Sequence, residues 1–541
     1  MSGQSGRGGQ AKNLICDLLP SEVDSIVLEA CHQPELGYPD MSLASQFSVA
    51  TAAAGRQVPL GRLPAHHARG NAPRPMLTFG DRTITFGEFD IETNRLAHLL
   101  VSTGIQPGDF VALILPNGIP VFQFAFALWK IGATPVPLSH KLPSVELRAI
   151  LDLLQPRLVI EPSLTAMTGV VMTDVGLTLA GNPPSDPLPD VELRYWKAST
   201  SGGSTGRPKV IVSHMLRSWD PTSAVFGAVP GSCAINVGPL YHNAPFNLAV
   251  CHMFSGSHVV EAGGFDPERT LDLIERFRVQ WINLVPTMMH RIWRLGPEVR
   301  SRHDLSSLRH VWHMASMCPP WLKENWIEWL GPERIFEGYG GSEGNGGTAI
   351  TGVEWLGRKG SVGRCNPGYT LRIFSDAGQL CAPGEPGEIY MAPELGDDPG
   401  FHYIGAEANV RDGLVSLGDI GYLDDDGYLY LLDRRTDMIV SGGANVYPAE
   451  VESAIEEHPA VGSSLVIGLP DADWGQRVHA LVELTGSPGS VSDADLRQYL
   501  RERLASYKIP KSFEFVSKPL RDEAGKARRS GHVEQRTPAA R

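Results

Sequence analysis

The chain has 541 residues, 42% hydrophobic and 20% charged, a length beyond what one core usually serves, so two or more domains are expected. Its formal net charge of −13, from 47 basic and 60 acidic residues, excludes a nucleic-acid partner held by clustered positive charge, so an anionic ligand must be bound locally. Seven scattered cysteines without a CxxC pair suit neither a disulfide framework nor a zinc site and point to a reducing cytoplasm.

In chain order, the opening MSGQSGRGGQAK reads as a disordered polar tail without the apolar run of a secretory signal. No stretch reaches the roughly 20 apolar residues of a membrane span. Residues 1–72 form an extension, in which PSEVDSIVLEACHQPELG suits a short helix and PDMSLASQFSVATAAAGRQVPLG an ordered strap. From about Pro73, FDIETNRLAHLLVSTG, DFVALILP and FQFAFALWKIGATPVPL alternate helical and strand-like periodicity, and LDLIERFRV followed by QWINLVP continues the pattern. This predicts α/β architecture with parallel sheets. After Gly360, LRIFSDAGQLCAPGEPGEIYM and GYLDDDGYLYLLD are short β runs punctuated by Pro-Gly and Asp-Gly. They predict a small β-barrel-like region that closes a large domain spanning 73–435. The remainder, 436–541, holds AEVESAIEEHPAV and DADLRQYLRERL as helices, with SSLVIGLP and HALVELT as strands, a small α+β domain whose boundary falls near Thr436.

STSGGSTGRPK at 199–209 follows the apparent strand VELRYWKA. Its glycines let backbone approach phosphate oxygens, its hydroxyls donate to them, and its lysine adds charge. A Gly/Ser run alone equally suits a surface linker, and GxxxxGK[ST] is absent. Three further segments decide between these readings: YGGSEGNGG at 339–347, LGDIGYLDDDGYLYLLDRRTDMIVSGGANVYPAEVE at 417–452, and PLRDEAGKARR at 519–529. Together, in this order, the four resemble the adenylate-forming superfamily of acyl-CoA synthetases, firefly-type luciferases and peptide-synthetase adenylation domains.

The resemblance implies that Thr200, Ser201, Gly202, Gly203, Ser204, Thr205, Gly206 and Lys209 embrace the β- and γ-phosphates of ATP. It sets Tyr339 beside adenine, Ser342 at phosphate and Glu343 on Mg²⁺, a hard cation that favours oxygen ligands. Asp419 would accept from the ribose hydroxyls, Arg434 would meet ribose or phosphate, and Lys526 would stabilise the charge that develops as a carboxylate attacks the α-phosphate. Taken singly, these residues read as turn, loop or tail groups; the order of motifs overrules that. The resemblance further implies a rotating C-terminal domain hinged at Thr436, where the family generally carries aspartate or lysine. After rotation Gly442 and Gly443 would face the tunnel for the pantetheine thiol of CoA.

His242 matches a histidine at the junction of acyl pocket and tunnel, a proton acceptor or gate, although a structural histidine fits its residues equally. The acyl pocket is expected from Asn243, Phe246, Val285 within 284–287, Met314, Ala315 and Ser316, with Gly338 and Gly341 on its floor. Many relatives have a glycine pair where Met314–Ser316 stands. The lining lacks an evident arginine for a second carboxylate or aspartate for an amino group, which disfavours amino-acid substrates. Stretches such as VPTMMHRIWRLG and WIEWLGPERIFEGYGGSE look most like bile-acid or steroid-type CoA ligases. The expectation is therefore an acid:CoA ligase that uses ATP and Mg²⁺ on a bulky hydrophobic acid, with a homodimer left open. The alternative is an amide-bond synthetase that passes the adenylate to an amine. Carrier-protein loading, luciferase-like oxygenation and an inactive nucleotide-binding regulator are the remaining readings.

Overall fold

The computed structural model describes residues 57–537 apart from 70–72, 163–169, 174–175, 180, 202–207, 395–397, 435–436, 442–443, 472, 487–488 and 524. The chain builds a large sheet whose central strands are parallel and lie in the order Pro75–Phe79, His258–Glu261, Cys233–Asn236, Trp281–Leu284, His310–His313 and Ile335–Gly340. These strands are buried along nearly their whole length, which is why they read as apolar runs rather than alternating ones. Asn243–Phe254, Pro267–Arg276, Pro286–Trp293 and Pro320–Leu330 are the helices that connect and cover them. Proline at the first turn starts the last three of these, where its missing N–H costs nothing.

Three further strands, Thr134–Pro137, Phe110–Leu113 and Leu158–Ile160, form a second parallel sheet. Beside it, Phe86–Ser102 begins with a capping box between Thr85 and Glu88. Its neighbour Ile119–Lys130 is buried on every side, as its nearly unbroken apolar sequence requires. The β-rich segment after 347 continues the large sheet antiparallel, through Gly347–Thr351, Ser361–Cys365, Leu429–Arg434, Leu414–Leu423, Gly387–Pro393 and Tyr369–Phe374. VELRYWKA, read as a strand, is irregular up to Trp196; the strand is Lys197–Ser201, and it pairs with Lys209–Ser213 across the glycine-rich loop.

Beyond residue 437 a separate sheet carries Ile439–Ser441, Ala444–Val446, Val461–Asp471, Gly475–Leu484 and Ser512–Val516. The helices Pro448–Glu456 and Asp493–Arg501 supply apolar side chains to this second core. Among the described residues no helix is long and apolar enough to cross a membrane.

Several histidines are buried in or against the large sheet. Burial pushes His252 down to about 3 and His258 and His310 to about 4, and it holds His313 well below the ordinary range. An unfolded chain protonates these side chains below its pKa near 6.5, while the folded chain does so only near its own lower values. Their contribution to stability is thus present above 6.5 and lost as pH falls towards 4. Glu92, Glu261, Glu337, Glu456 and Glu483, whose carboxyls burial raises, oppose this, but the four histidines together with His67, His242 and His290, each lowered to about 4, outnumber them. Thermal unfolding scans should show the midpoint falling steadily from pH 7 to pH 5; a flat profile would mean that the histidines gain protons without unfolding.

Candidate active site

Parallel strands deliver their loops to one edge, outside their carboxyl ends, and ligands bind there. A cavity of about 1550 Å³ occupies this edge. Segments 237–242, 285–287, 314–318 and 341–344, which follow four of the parallel strands, supply lining residues, and the C-terminal domain contributes residues 521–523 and 525–529.

On one side of the cavity, Tyr339 ends its strand and its Oη donates to Asp419 Oδ2 at 2.7 Å. Asp419 stands opposite Arg434 in the antiparallel ladder, so the two GD…DR motif residues meet across a strand pair although fifteen positions separate them in sequence. Glu343 is buried; it accepts from Tyr403 Oη at 2.6 Å and lies 3.4 Å from Lys209 Nζ. Lys209 Nζ in turn sits 3.9 Å from the centre of the Tyr403 ring. A Cβ on Gly341 would come to 2.3 Å from Leu417 and 2.7 Å from Glu343 Oε2, so a larger residue would displace both side chains. One buried carboxylate beside Lys209 fits Mg²⁺, which usually takes one or two protein carboxylates and completes its shell with phosphates and water.

At the opposite wall His242 precedes the Asn243–Phe254 helix, 3.8 Å from Asp522 Oδ2. Burial, reinforced by the Lys526 charge, lowers its pKa to about 4, so its imidazole is neutral at physiological pH. Lys526 belongs to a turn closed by Asp522, whose backbone N–H donates to the Lys526 carbonyl at 2.8 Å while its Oδ1 accepts from the Lys526 N–H at 2.9 Å. Gly525, in the left-handed region at φ 73°, fits this turn against the loop at 285–287; a Cβ there would come to 3.1 Å from Thr287 Oγ1. The turn is also held by an ion pair from Lys141 to Glu523 and by the paired bonds of Arg528 to Glu146 at 3.0 and 3.1 Å.

The cavity gathers Thr200, Lys209, His242, Asn243, Val285, Met314, Ala315, Ser316, Gly338, Tyr339, Gly341, Ser342, Glu343, Asp419 and Lys526. Phe246 is a correction: it is buried in the core against Trp129 and does not line the cavity. Asn243, Asn247 and Cys251, one helical turn apart, line the cavity, whereas Phe246 packs into the core beside them. Ala315 holds φ 78°, the left-handed conformation that glycine adopts without strain. Ser201 and Arg434 are described by backbone only, and Gly202, Gly203, Ser204, Thr205, Gly206, Thr436, Gly442 and Gly443 lie outside the described residues.

A model of the AMP-binding enzyme family matches residues 64–394, and one of its C-terminal domain matches 450–526. The chain belongs to that family. Among curated relatives, a feruloyl-CoA synthase from Amycolatopsis sp is 33% identical over 86% of this chain and 97% of its own. A 2-succinylbenzoate–CoA ligase from Geobacillus kaustophilus is 32% identical over 83% of this chain and 92% of its own. Among solved structures, o-succinylbenzoate CoA synthetase from Bacillus subtilis with its acyl-adenylate intermediate matches with a TM-score of 0.74 and 26% identity, over 90% of this chain and 99% of the other. The amide bond synthetase McbA from Marinactinospora thermotolerans matches with a TM-score of 0.72 and 25% identity, over 88% of this chain and all of its own.

Two residues at this AMP-binding enzyme's site escaped the sequence reading: Tyr403, which supports Glu343 from outside the cavity lining, and Lys197, which lines it. Tyr403 lies 60 positions from the Glu343 that it supports, in no recognised motif. Lys197 is buried in the cavity wall; its only sequence signal is a charge at the start of an otherwise uncharged strand. Tyr403→Phe would leave buried Glu343 with Lys209 as its remaining described partner. A buried acceptor stripped of a donor costs about 1–3 kcal/mol, so differential scanning calorimetry should record a lower midpoint for this variant. An unchanged midpoint would indicate that water replaces the phenol.

Proposed function

We propose that this enzyme activates a bulky, largely apolar carboxylic acid with ATP and transfers the acyl group to the thiol of CoA. The observation that carries this reading is the single cavity shared by Lys526, the Tyr339–Asp419 pair, Glu343 and an apolar wall that includes Trp219, Phe226 and Met314. In the first step a carboxylate oxygen attacks the α-phosphorus of ATP, the bond to the β-phosphate breaks, and acyl-AMP and pyrophosphate result. Lys526 carries the positive charge that this attack needs, without forming a covalent bond. Thr200, Lys209, Ser342 and the loop between them hold the phosphates, Tyr339 flanks the adenine, and Asp419 and Arg434 hold the ribose. Glu343 would hold Mg²⁺, which supplies charge neutralisation to the phosphate oxygens.

In the second step the thiol sulfur attacks the acyl carbonyl and AMP leaves. His242 serves as a neutral imidazole able to accept the thiol proton; its low pKa makes it a weak base that returns the proton readily. The names of the CoA-forming relatives support CoA as acceptor. The similarity to an amide bond synthetase keeps an amine as the second reading of the same adenylate.

Purified enzyme should be given ATP, Mg²⁺ and a panel of hydrophobic acids, each reaction being divided among CoA, hydroxylamine and simple amines. Pyrophosphate release is expected, with acyl-CoA as the product, and Lys526→Ala should slow it by about 100- to 1000-fold, the loss typical of a group that stabilises transition-state charge. Adenylate that amines capture while CoA does not would identify an amide synthetase. Pyrophosphate release unchanged in the variant would remove Lys526 from the mechanism.

A further inference from the structure

Three lysines are buried among the described residues: Lys130, Lys197 and Lys323. Taking an ammonium out of water is costly unless a counter-charge accompanies it. Lys130 has Asp90 and Asn94, and Lys323 lies 2.6 Å from Glu337. Neither lines the cavity. Lys197 does, at 3% exposure, and among the described residues no carboxylate contacts it.

The side chain of Lys197 leaves the strand that leads into the glycine-rich loop, and its Nζ donates to Asn243 Oδ1. That oxygen also accepts from Asn247 Nδ2 at 3.1 Å, while Asn247 Oδ1 is buried with no hydrogen-bond partner among the described residues. Asn243, Asn247 and Cys251 share one helix face, so a small polar island interrupts an otherwise apolar wall. An ammonium offers three donors, and the described residues provide one acceptor. The neighbouring Cys251 supplies no charge, because burial pushes its thiol up to about 12. Glu343, the carboxylate whose field reaches Lys197, is already engaged by Tyr403 and Lys209. Burial accordingly lowers Lys197 to about 7.

Building on the adenylation proposed above, we propose that the acid carries a second carboxylate in its acyl part and that Lys197 receives it. A carboxylate supplies both the missing acceptors and the missing charge; a neutral oxygen supplies only the first. The first carboxylate of the substrate goes to the α-phosphate, the second to Lys197, and Trp219, Phe226, Leu248 and Met314 enclose an apolar or aromatic skeleton between them. Lys197 is thus a specificity-determining residue, and the substrate class is a dicarboxylic acid with a bulky spacer. It fills the role for which the sequence offered no arginine.

The test compares pyrophosphate release from aromatic or alicyclic dicarboxylic acids with release from their half-methyl esters, which keep the bulk and lose one charge. The intact enzyme should favour the diacid by about tenfold or more in kcat/KM, mainly through KM, as expected for one desolvated charged hydrogen bond. In Lys197→Met that ratio should collapse towards one. Half-esters processed as well as diacids by the intact enzyme, or a ratio unchanged in Lys197→Met, would overturn the inference while leaving adenylation standing. The comparison within the intact enzyme holds even if the variant folds poorly. If no acid of either kind releases pyrophosphate, the adenylation reading fails and this inference fails with it.

Discussion

Because the strands at 233–236, 281–284, 310–313 and 335–340 run parallel, their chains leave the sheet at the same edge, and four loops are forced into one small region. Helices cover the sheet's faces, so polar groups brought to that edge have little water to pair with and must find protein or ligand partners. Glu343 finds Tyr403 and Lys209, and Tyr339 finds Asp419. His242 remains neutral, and Lys197 has only an amide oxygen. Buried polar groups without a partner among the described residues occur elsewhere in the chain as well, so only those that also line the cavity, such as Asn247 Oδ1, bear on a ligand.

The C-terminal domain obeys a different balance. Inside it, Glu452 is buried between Arg521 and Arg529, at 2.7 Å from each; burial alone would raise its carboxyl, yet the two guanidinium groups hold it below its ordinary range. Arg529 also reaches Asp437, just past the hinge position, at 3.4 Å. Removing one member of such a buried network leaves an uncompensated charge, so the domain is internally stiff. Its contacts with the large domain are mixed: Arg294, half-buried, donates to the Val461 carbonyl and the Ala449 N–H donates to Asp433 Oδ2 at 3.0 Å, whereas two ion pairs are more open. Lys141–Glu523 and Arg528–Glu146 are largely exposed, and exposed pairs contribute about 0–1 kcal/mol each.

Much of this was legible in the sequence, and the exceptions share a cause. Helices such as Phe86–Ser102 and Asp493–Arg501 announce themselves by apolar periodicity and capping boxes, and Asp426-Gly427 closes its hairpin as the turn chemistry predicts. The motif residues were legible because each lies in a short run whose order is distinctive. Phe246 was misjudged because proximity to His242 in sequence does not say whether a side chain faces the cavity or the core, and its place three residues after Asn243 leaves both open. Tyr403 and Lys197 were invisible for another reason. Their meaning depends on partners 60 and 46 positions away, and single-residue chemistry cannot tell a solvated tyrosine or lysine from a buried one.

The same contrast explains how a chain of net charge −13 can hold polyanionic ligands. Long-range attraction is not available to it, and water and salt screen exposed charge within about 10 Å at 0.1 M ionic strength. Binding must therefore come from a few cations in a confined, partly dry cleft, where each interacts more strongly than it would on the surface. Lys209 and Lys526 line the cavity beside Glu343 and His242, and Lys197 lines it beside Asn243. The Glu343 charge reaches Lys197 as well as Lys209, so these cations share one field in the cleft and do not act as separate sites.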